Sequence, residues 1–265
     1  MRKENSFFEV ENITAGYGKK EIIHNVSFSA KKHTLTSLMG ANGSGKTTLL
    51  KSMVNQLSHQ GNCSLQGEVL EKKSIRQLAK DVSYIPQKSG ISISLPVLDV
   101  VLMGYNARLK LLERPNKNQV ECAMEVLKKV GLEKVIHSDY LKLSEGQKQL
   151  VVLARMMIED TKLLLLDEPD SALDIPNRYG MMSYIKRMVM EQEKAGVLCL
   201  HDPLLALEFC DQLVLLKEGS LVDVLRPKED SIEKMETVFC QTFGKVSLME
   251  CFDKEGKRHF SMIGV

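Results

Sequence analysis

Apolar and polar residues alternate in the first part of the chain in a way that predicts strands around a glycine-rich loop. The alternation over residues 7–17 predicts a strand that breaks at Gly16 and Gly18, and residues 22–28 indicate a second strand. An apolar run over residues 35–39 precedes the glycine-rich loop, and an apolar run with helical spacing follows it. We therefore expect a strand to enter this loop and a helix to leave it.

The middle of the chain changes from strand-like to helix-like patterns. Residues 58–67 form a polar stretch to which we assign no strand or helix. The elements expected next are a strand and turn over 68–73, a short helix over 75–80 and a strand over 81–85 that ends at Pro86. From about residue 90 to 160 apolar side chains recur at helical spacing, as they do over 119–130, and predict an inserted helical subdomain.

Buried strands and short helices alternate again after residue 160. Four consecutive leucines, residues 163–166, are typical of a strand buried on both faces, as parallel strands are. Residues 196–200 predict another such strand. The remaining expected elements are a helix over 204–210, a strand over 213–216, a hairpin turn over 217–220, and a helix and hairpin within about 230–265. We predict a single α/β domain over residues 1–265.

Composition places the chain among ordinary soluble proteins, with 43% hydrophobic and 26% charged residues in 265 positions. The formal charge is only +2 and the lysine pairs are scattered, which argues against a nucleic-acid partner. No apolar run reaches the length of about 18 residues that a membrane span needs, so we expect another chain to do any spanning. Met1 leads into no long apolar stretch, so we expect no signal peptide.

The six cysteines form no C-x-x-C pair. We expect reduced, mostly buried thiols, and neither a disulfide framework nor a zinc site.

The glycine-rich loop has the pattern G-x-x-x-x-G-K-(S/T), which is typical of phosphate-binding loops. Its backbone N–H groups can surround a phosphate chain because glycine has no Cβ, and the helix N-terminus adds partial positive charge. Lys46 is expected to reach the β- and γ-phosphates, and the Thr47 hydroxyl to bind Mg²⁺. The candidate nucleotide-binding residues of the loop are Gly40, Ala41, Asn42, Gly43, Ser44, Gly45, Lys46, Thr47 and Thr48.

A second polar turn, L-S-E-G-Q at residues 143–147, precedes an apolar helix. Ser144 is a candidate N-cap for this helix. The same geometry would equally offer a hydroxyl, free N–H groups and a positive helix end to an anion, so both interpretations stay open from the residues alone. The expected buried stripe of the helix is Leu150, Leu153, Ala154 and Met157.

Two carboxylates, Asp167 and Glu168, follow the leucine run directly. They lie at the carboxyl edge of the predicted sheet, where α/β proteins bind their ligands. With a phosphate loop in the same chain, this position favours Asp167 as the carboxylate on the Mg²⁺ side and Glu168 as the base that activates water.

Three further residues are ambiguous when each is taken alone. Tyr17 stands between two glycines and suits equally a turn and a flat surface for adenine. Gln87 follows a strand end, where a glutamine is usually a surface residue but can also meet a metal or a water. His201 follows a buried strand, and a lone histidine in that place is more often structural than catalytic.

Taken together, these motifs resemble those of the ATP-binding subunits of ABC transporters over roughly residues 7–225. Residues 40–48 are similar to the Walker A loop, 163–168 to Walker B with its following glutamate, 143–147 to the ABC signature, and 171–174 to the D-loop. Tyr17, Gln87 and His201 match the A-loop aromatic, the Q-loop glutamine and the switch histidine. The resemblance implies a P-loop ATPase fold, with a mixed β-sheet core, an N-terminal antiparallel β-subdomain and an inserted helical subdomain.

The resemblance also implies ATP and Mg²⁺ as cofactors and a second copy of the chain as a partner. In this family two subunits close head to tail on two ATP molecules, so Ser144, Gly146 and Gln147 would face the nucleotide held by the other copy's loop. Asp174 would lie between the two sites. The implied catalytic residues are Lys46, Gln87, Glu168 and His201, and the implied Mg²⁺ ligands are Thr47, Gln87 and Asp167.

Two positions depart from the family pattern. Glu145 stands where glycine is commonest and adds a negative charge near a phosphate, although its backbone N–H can still point inward. Asp170 stands where threonine is more usual.

Within the family, residues 82–87, 98–104 and 201–207 and the C-terminal helix and hairpin look most like subunits of iron-siderophore, haem and cobalamin importers. This likeness implies a peripheral protein on the cytoplasmic face of the membrane, with integral permease subunits and an extracytoplasmic substrate-binding protein as partners. A second hypothesis is a non-transport ABC ATPase that remodels a cytosolic assembly, but such proteins often carry two ATPase domains or long coiled coils. A third, a P-loop kinase, leaves residues 144–147 unexplained.

Overall fold

The computed structural model describes residues 6–87, 90–110 and 112–264, so the N-terminal residues used in the signal-peptide prediction lie outside the described part. The strands are β1 (Phe8–Tyr17), β2 (Lys20–Ala30), β3 (Leu35–Met39), β4 (His59–Leu65), β5 (Glu68–Val69), β6 (Val82–Ile85), β7 (Leu163–Asp167), β8 (Ala195–Cys199), β9 (Gln212–Lys217), β10 (Ser220–Leu225), β11 (Val246–Phe252) and β12 (Arg258–Gly264). The α-helices are α1 (Lys46–Met53), α2 (Ile75–Asp81), α3 (Val97–Leu102), α4 (Lys117–Lys129), α5 (Glu145–Glu159), α6 (Ile175–Glu191), α7 (Pro203–Phe209) and α8 (Ile232–Phe243).

The strands form two larger sheets and one hairpin. The six-stranded sheet has the order β10-β9-β3-β8-β7-β6, and all its neighbours are parallel except the edge strand β10. The second sheet is antiparallel, with the order β2-β1-β4-β5, and β11 pairs with β12 in the C-terminal hairpin. The expected mixed core sheet and N-terminal antiparallel subdomain are therefore confirmed.

The six-stranded sheet separates two apolar clusters. Leu164 and Leu166 of β7 belong to the cluster that also contains side chains of α3, α4 and α5. Leu163 and Leu165 belong to the cluster between this sheet and the antiparallel one, together with side chains of α1. All four leucines are fully buried, as expected of a parallel strand that is covered on both faces.

Residues 58–67 differ from the expected polar stretch, because they contain strand β4, which pairs with β1. Cys63 and Leu65 are buried in β4, Ser64 between them is only partly buried, and Asn62 before them is exposed. This two-residue period buries one face of a strand that is otherwise polar. With only two apolar side chains, the period is too short to be visible in the sequence.

The buried face of α5 is shifted from the expected stripe. Leu153 and Ala154 are buried as predicted, but Leu150 and Met157 are only partly buried. The other buried residues of α5 are Val151, Val152, Met156 and Ile158.

All six cysteines are free, as expected, but only half of them are buried. Cys63, Cys199 and Cys210 are buried, Cys240 is half-buried, and Cys122 and Cys251 are exposed. No helix within the described ranges combines the length and the apolarity that crossing a membrane requires.

Candidate nucleotide-binding site

Four parallel strands carry most of the predicted site residues beyond their carboxyl ends. β3 leads into the glycine-rich loop, β7 ends at Asp167, β8 is followed by His201, and β6 is followed by Gln87. Because these strands are parallel neighbours, their carboxyl ends meet at one edge of the sheet. The fold therefore gathers at this edge residues that are far apart in the sequence.

The glycine-rich loop passes close to neighbouring atoms at two of its glycines. Gly40 has a φ of 153°, and a Cβ there would lie 2.3 Å from the carbonyl oxygen of Leu216. Gly45 has a φ of 98°, and a Cβ there would lie 2.4 Å from Cδ1 of Ile23. Both positions therefore require glycine. Helix α1 begins immediately afterwards, at Lys46, and its first N–H groups are available to an anion.

Lys46 lies inside the loop and is only 6% exposed. Its Nζ donates hydrogen bonds to the carbonyl oxygens of Gly40, at 2.8 Å, and Ala41, at 3.2 Å. The Ser44 hydroxyl is also buried and has no hydrogen-bond partner among the described residues. A phosphate chain would give both groups acceptors, so this loop fits the expected ligand. Ala41, Asn42 and Gly43 are exposed at its tip, and Thr48 is buried in α1.

Two of the three expected Mg²⁺ ligands, Thr47 and Asp167, are in direct contact, whereas the amide nitrogen of the third, Gln87, donates to Glu168. Thr47 Oγ1 donates to Asp167 Oδ1 at 3.1 Å. Asp167 is 2% exposed, and burial raises the pKa of its carboxyl while the Thr47 bond opposes this rise. A nearby cation would stabilise the charged form. Mg²⁺ is usually held by oxygen ligands from one or two carboxylates together with substrate phosphates, so this donor set fits it.

Glu168 is contacted from two sides. Its Oε1 lies 2.5 Å from His201 Nε2, and its Oε2 accepts a hydrogen bond from the Gln87 side-chain amide. The backbone φ of Glu168 is 53°, in the left-handed region that non-glycine residues seldom adopt and that occurs at functional sites. Gln87 and His201, ambiguous in the sequence, thus both lie against the expected base.

The turn at residues 143–147 is capped within its own helix. The Ser144 hydroxyl accepts a hydrogen bond from the Gln147 backbone at 3.3 Å, and the Gln147 side chain accepts one from the Ser144 backbone at 3.1 Å. The capping interpretation of Ser144 is therefore confirmed. Within the described part of the chain, neither Ser144 nor Gln147 forms a hydrogen bond with the glycine-rich loop.

Glu145, the first departure from the family pattern, has a positively charged neighbour. Its Oε1 lies 2.8 Å from Lys148 Nζ, and 75% of the Glu145 side chain is exposed. Such a surface pair contributes little stability. The pair does place a positive charge beside the additional negative charge at the N-terminal end of α5.

Gln149, which no sequence pattern singles out, connects α5 to the turn at residues 171–174. Its amide nitrogen donates to Ser171 Oγ at 3.2 Å, and its amide oxygen accepts from the Ala172 N–H at 3.3 Å. Gly146 faces the same turn, since a Cβ there would lie 3.3 Å from the Ala172 carbonyl oxygen. Asp174 ends the turn as the N-cap of α6, and its carboxylate accepts from the backbone N–H of Asn177 at 3.1 Å.

Asp170, the second departure, is 4% exposed and has Arg178 as its charged partner. Arg178 Nε lies 3.3 Å from Asp170 Oδ2, with the alignment of an ion pair and not of a hydrogen bond. Burial raises the pKa of Asp170, and Arg178 opposes the rise. Another Arg178 nitrogen lies 3.7 Å from Asp202 Oδ2. Arg178 thus links the segment after Glu168 to the segment after His201.

Tyr17 is the last residue of β1 and pairs with Lys20 across the turn. Its ring is half exposed, with 51% of the residue accessible. This placement fits both a turn residue and a surface on which a base can stack.

Comparison with known sequences extends the resemblance beyond the motifs. The family described as "ABC transporter" matches residues 23–171. A Helicobacter pylori protein assigned to iron chelatin transport, as its ATP-binding protein, is 37% identical over 80% of this chain and 84% of its own length. The hemin import ATP-binding protein HmuV of Vibrio parahaemolyticus is 32% identical over 80% of this chain and 82% of its own length.

Two solved structures share the fold. A chain from a transporter assigned to the metal-chelate type of ABC transporter, in an inward-facing conformation, superposes with a TM-score of 0.81 at 24% identity and covers 98% of both chains. An ATP-binding cassette in a dimeric, post-hydrolysis state with bound ADP and Pi superposes with a TM-score of 0.74 at 24% identity, over 83% of this chain and 98% of that one. The chain therefore belongs to the ABC transporter family, as an ATP-binding subunit with ATPase function.

Proposed function

We propose that two copies of this chain close head to tail on two ATP molecules, and that hydrolysis drives a separate membrane permease which imports a metal chelate. An iron-siderophore is the first candidate for the cargo. The iron chelatin and hemin assignments of the relatives support this cargo class. No observation specifically favours the alternative, a non-transport ABC ATPase acting on a cytosolic assembly.

The proposed roles of the residues rest on their contacts at the sheet edge and, for Tyr17, on the family resemblance. The loop amides and Lys46 bind the phosphates, and Tyr17 stacks on the adenine. Mg²⁺ held by Thr47 and Asp167, with Gln87 nearby, would neutralise charge on the phosphate oxygens. Glu168 accepts a proton from the attacking water at its carboxylate. His201, at 2.5 Å, positions that carboxylate.

The second copy completes the site. Gly40 to Thr48 can hold a polyphosphate on one side only, and the helix N-terminus at Ser144 is a second place suited to an anion. Ser144, Gly146 and Gln147 of one copy would contact the γ-phosphate bound to the other. Asp174 would lie between the two sites, because Gln149 and Gly146 hold its turn against the start of α5.

One observation carries the proposal most directly: Glu168, Gln87 and His201 are in contact at the edge where Thr47 meets Asp167, whereas Ser144 and Gln147 hydrogen-bond to each other. In this proposal the first group supplies the hydrolytic side chains, and the helix N-terminus at Ser144 supplies further N–H groups for the phosphate. A head-to-tail pair of copies would bring one against the other.

The surface that would meet the permease is a groove between α2 and residues 103–107. The groove has a volume of about 560 Å³. Ile75 at its rim is 89% exposed, although it is a large apolar residue. A membrane partner on this surface would hold the subunit at the cytoplasmic face, and an extracytoplasmic substrate-binding protein would deliver the chelate to the same permease.

The dimer is tested with the hydrolysis-impaired variant Glu168→Gln. With Mg-ATP this variant should double in mass by light scattering, and with Mg-ADP it should stay monomeric. Adding Ser144→Arg should abolish the ATP-dependent dimer without abolishing ATP binding. Ser74→Arg is the matched control, because Ser74 caps α2 with the same capping box, formed with Gln77. A variant that stays monomeric with Mg-ATP, both alone and with its permease, would overturn the proposed dimer.

The transport role is tested by affinity purification from solubilised membranes. A polytopic membrane protein should copurify with the wild-type chain, and Ile75→Asp should reduce its recovery while the isolated subunit keeps its ATP binding. Ile263→Asp, an exposed position on the C-terminal hairpin, is the control. Recovery of a soluble complex with no membrane component contradicts the transport proposal.

A further inference from the structure

Three side chains of metal-binding type meet on the antiparallel sheet, away from the edge that carries the nucleotide site. They are His59 and Cys63 of β4 and Glu71 of the short 3₁₀ helix over residues 70–72. A ring nitrogen of His59, the Cys63 Sγ and a carboxylate oxygen of Glu71 all lie within 4.8 Å of one another. The group is inside the fold: Cys63 is fully buried, and the His59 side chain is 4% exposed.

An irregularity in β4 accounts for the approach of two residues that are four positions apart. His59 and Cys63 lie on the same face, because side chains alternate along a strand. The pairing of β4 with β1 shifts in register between Glu11 and Thr14, where two residues of β1 lie opposite Gly61 of β4. Gly61 itself has a φ of 88°, which interrupts the extended course of β4 between His59 and Cys63. The His59 ring nitrogen and the Cys63 Sγ lie within 4.8 Å of each other across this interruption.

The Glu71 carboxylate is held in place by one of its oxygens. Oε1 accepts a hydrogen bond from the Cys63 backbone N–H at 2.7 Å and lies 3.0 Å from His59 Nε2. Oε2 is buried and has no hydrogen-bond partner among the described residues. An unpaired buried carboxylate oxygen is unfavourable, and a cation is one of the few partners that could relieve it.

The His59 ring has the orientation that a metal ligand needs. Its Nδ1 lies 3.0 Å from the carbonyl oxygen of Leu57, an acceptor, so Nδ1 carries a proton and donates it. Nε2 faces Glu71 Oε1 at 3.0 Å, and a metal ion would bind the lone pair that Nε2 has when it carries no proton. A backbone carbonyl that fixes the second ring nitrogen is the usual support for a metal-bound histidine.

We propose that His59 Nε2, Cys63 Sγ and the Glu71 carboxylate bind one divalent transition-metal ion of the zinc type. Imidazole, thiolate and carboxylate together are a ligand set for Zn²⁺ or Co²⁺ and not for Mg²⁺, which takes oxygen ligands. On binding, the Cys63 thiol loses its proton to solvent, as does His59 Nε2 where it carries one toward Glu71, and the sulfur and Nε2 each donate an electron pair to the metal.

The bound ion would fasten the 3₁₀ helix to β4. This helix is already tied to the end of α1, because Asn55 Nδ2 donates to the Leu70 carbonyl oxygen at 3.1 Å. The site is therefore structural: it stabilises the antiparallel subdomain against which α1 packs. The sequence does not reveal this site, because zinc sites are usually recognised by C-x-x-C pairs. Its ligands are instead spaced as H-x₃-C, with a glutamate eight residues after the cysteine.

The test is a Co²⁺ titration of the full chain without nucleotide, followed by absorption spectroscopy. A thiolate-to-cobalt charge-transfer band should saturate at one equivalent and should be displaced by Zn²⁺. Cys63→Ser should abolish the band, and Glu71→Gln should weaken Co²⁺ binding at least tenfold. Cys122→Ser and Cys251→Ser, which change exposed cysteines, should leave the band unchanged. One equivalent of Zn²⁺ should raise the Tm of the wild type and of these two controls, but not that of Cys63→Ser.

A protein that shows no saturable thiolate band, or a band that persists in Cys63→Ser, overturns the proposal. Because Cys63 is fully buried, its variant could fail to fold, and circular dichroism checks this. In that event Glu71→Gln decides, since it keeps the size of the side chain and removes the ligand charge. Unchanged Co²⁺ affinity and an unchanged Zn²⁺-dependent Tm shift in Glu71→Gln would leave the three residues as an ordinary buried ion pair and thiol.

Discussion

Arg178 Nε lies 3.3 Å from Oδ2 of Asp170, and the two side chains differ in exposure, at 27% for the arginine and 6% for the aspartate. The family resemblance leads us to expect threonine at the position of Asp170, and Arg178 gives the aspartate carboxylate a charged partner. Removal of Arg178 leaves the buried Asp170 carboxylate without the positive charge that partly offsets its loss of hydration. Breaking a buried pair from one side typically costs about 3–5 kcal/mol.

Arg178→Met should therefore destabilise the protein by about 2–3 kcal/mol, less than the full range because Arg178 is partly exposed. Asp170→Thr in the same chain should recover much of this loss, because it removes the uncompensated charge. Urea unfolding of the two single variants and the double variant measures the coupling. Additive losses in the double variant would show that the pair does not contribute through its charge.

The same pair predicts a pH dependence. Burial already raises the pKa of Asp170 in the folded protein, and loss of Arg178 removes a group that opposes this rise. A carboxyl whose folded pKa exceeds its unfolded value, ordinarily near ~3.9, stabilises the fold below that value, and this stability is lost as pH rises through the folded pKa. The loss in free energy of unfolding that Arg178→Met causes should therefore be smaller at about pH 4 than at about pH 8. When Asp170→Asn is also present, the effect of Arg178→Met on stability should no longer depend on pH.

Lys46→Ala should weaken ATP binding by roughly 10- to 100-fold. A hydrogen bond to a charged group is worth about 1.5–3 kcal/mol, and Lys46 is the buried ammonium of the loop. Isothermal titration with a non-hydrolysable ATP analogue measures the change. Lys20→Ala, at an exposed position of β2, is the control. Equal affinity in Lys46→Ala would exclude this lysine from phosphate binding.

Glu168→Gln should lower the hydrolysis rate by roughly 10²- to 10⁴-fold, the range for loss of a general base. Affinity for Mg-ATP should change little, because the amide keeps the size of the carboxyl group. Single-turnover hydrolysis and nucleotide titration separate the two quantities, and chelation of Mg²⁺ should abolish turnover in the wild type. Normal turnover in Glu168→Gln would remove Glu168 from the mechanism.

Gly40→Ala should cost stability and ATP binding together. The new Cβ would lie 2.3 Å from a backbone oxygen, so the loop would have to move. We expect a loss of about 1–3 kcal/mol in the free energy of unfolding. Gly180→Ala is the matched control, because nothing lies within 4 Å of its Cβ position in α6. This control should gain about 0.5–1 kcal/mol, as alanine does over glycine in a helix.

The sequence is informative where the physical signal is local. The glycine loop, the four leucines of β7 and the cap at Ser144 each depend on residues within a few positions of one another, and their predicted structures are confirmed. Helix α6 is not among the expected elements, although Asp174 caps it and Pro176 occupies its first turn. Exposed apolar residues, among them Ile175, Tyr179 and Met190, reduce the contrast between its two faces.

Contacts between distant segments are what the sequence could not show. Gln149 and Ser171 are 22 positions apart, and nothing in an amphipathic helix marks that glutamine as the link to a turn. Strand β4 went unassigned for a related reason: its partner β1 lies about 50 residues earlier, and pairing, not composition, makes it a strand.

Both oxygens of the Glu168 carboxylate have neighbours within a single subunit, His201 on one and Gln87 on the other. Each carboxylate oxygen keeps a further lone pair for a water proton, so the two contacts orient the base without blocking it. The hydrolytic groups are therefore already arranged before a second copy binds. We expect pairing to speed hydrolysis by adding contacts to the phosphates and not by rebuilding the surroundings of Glu168.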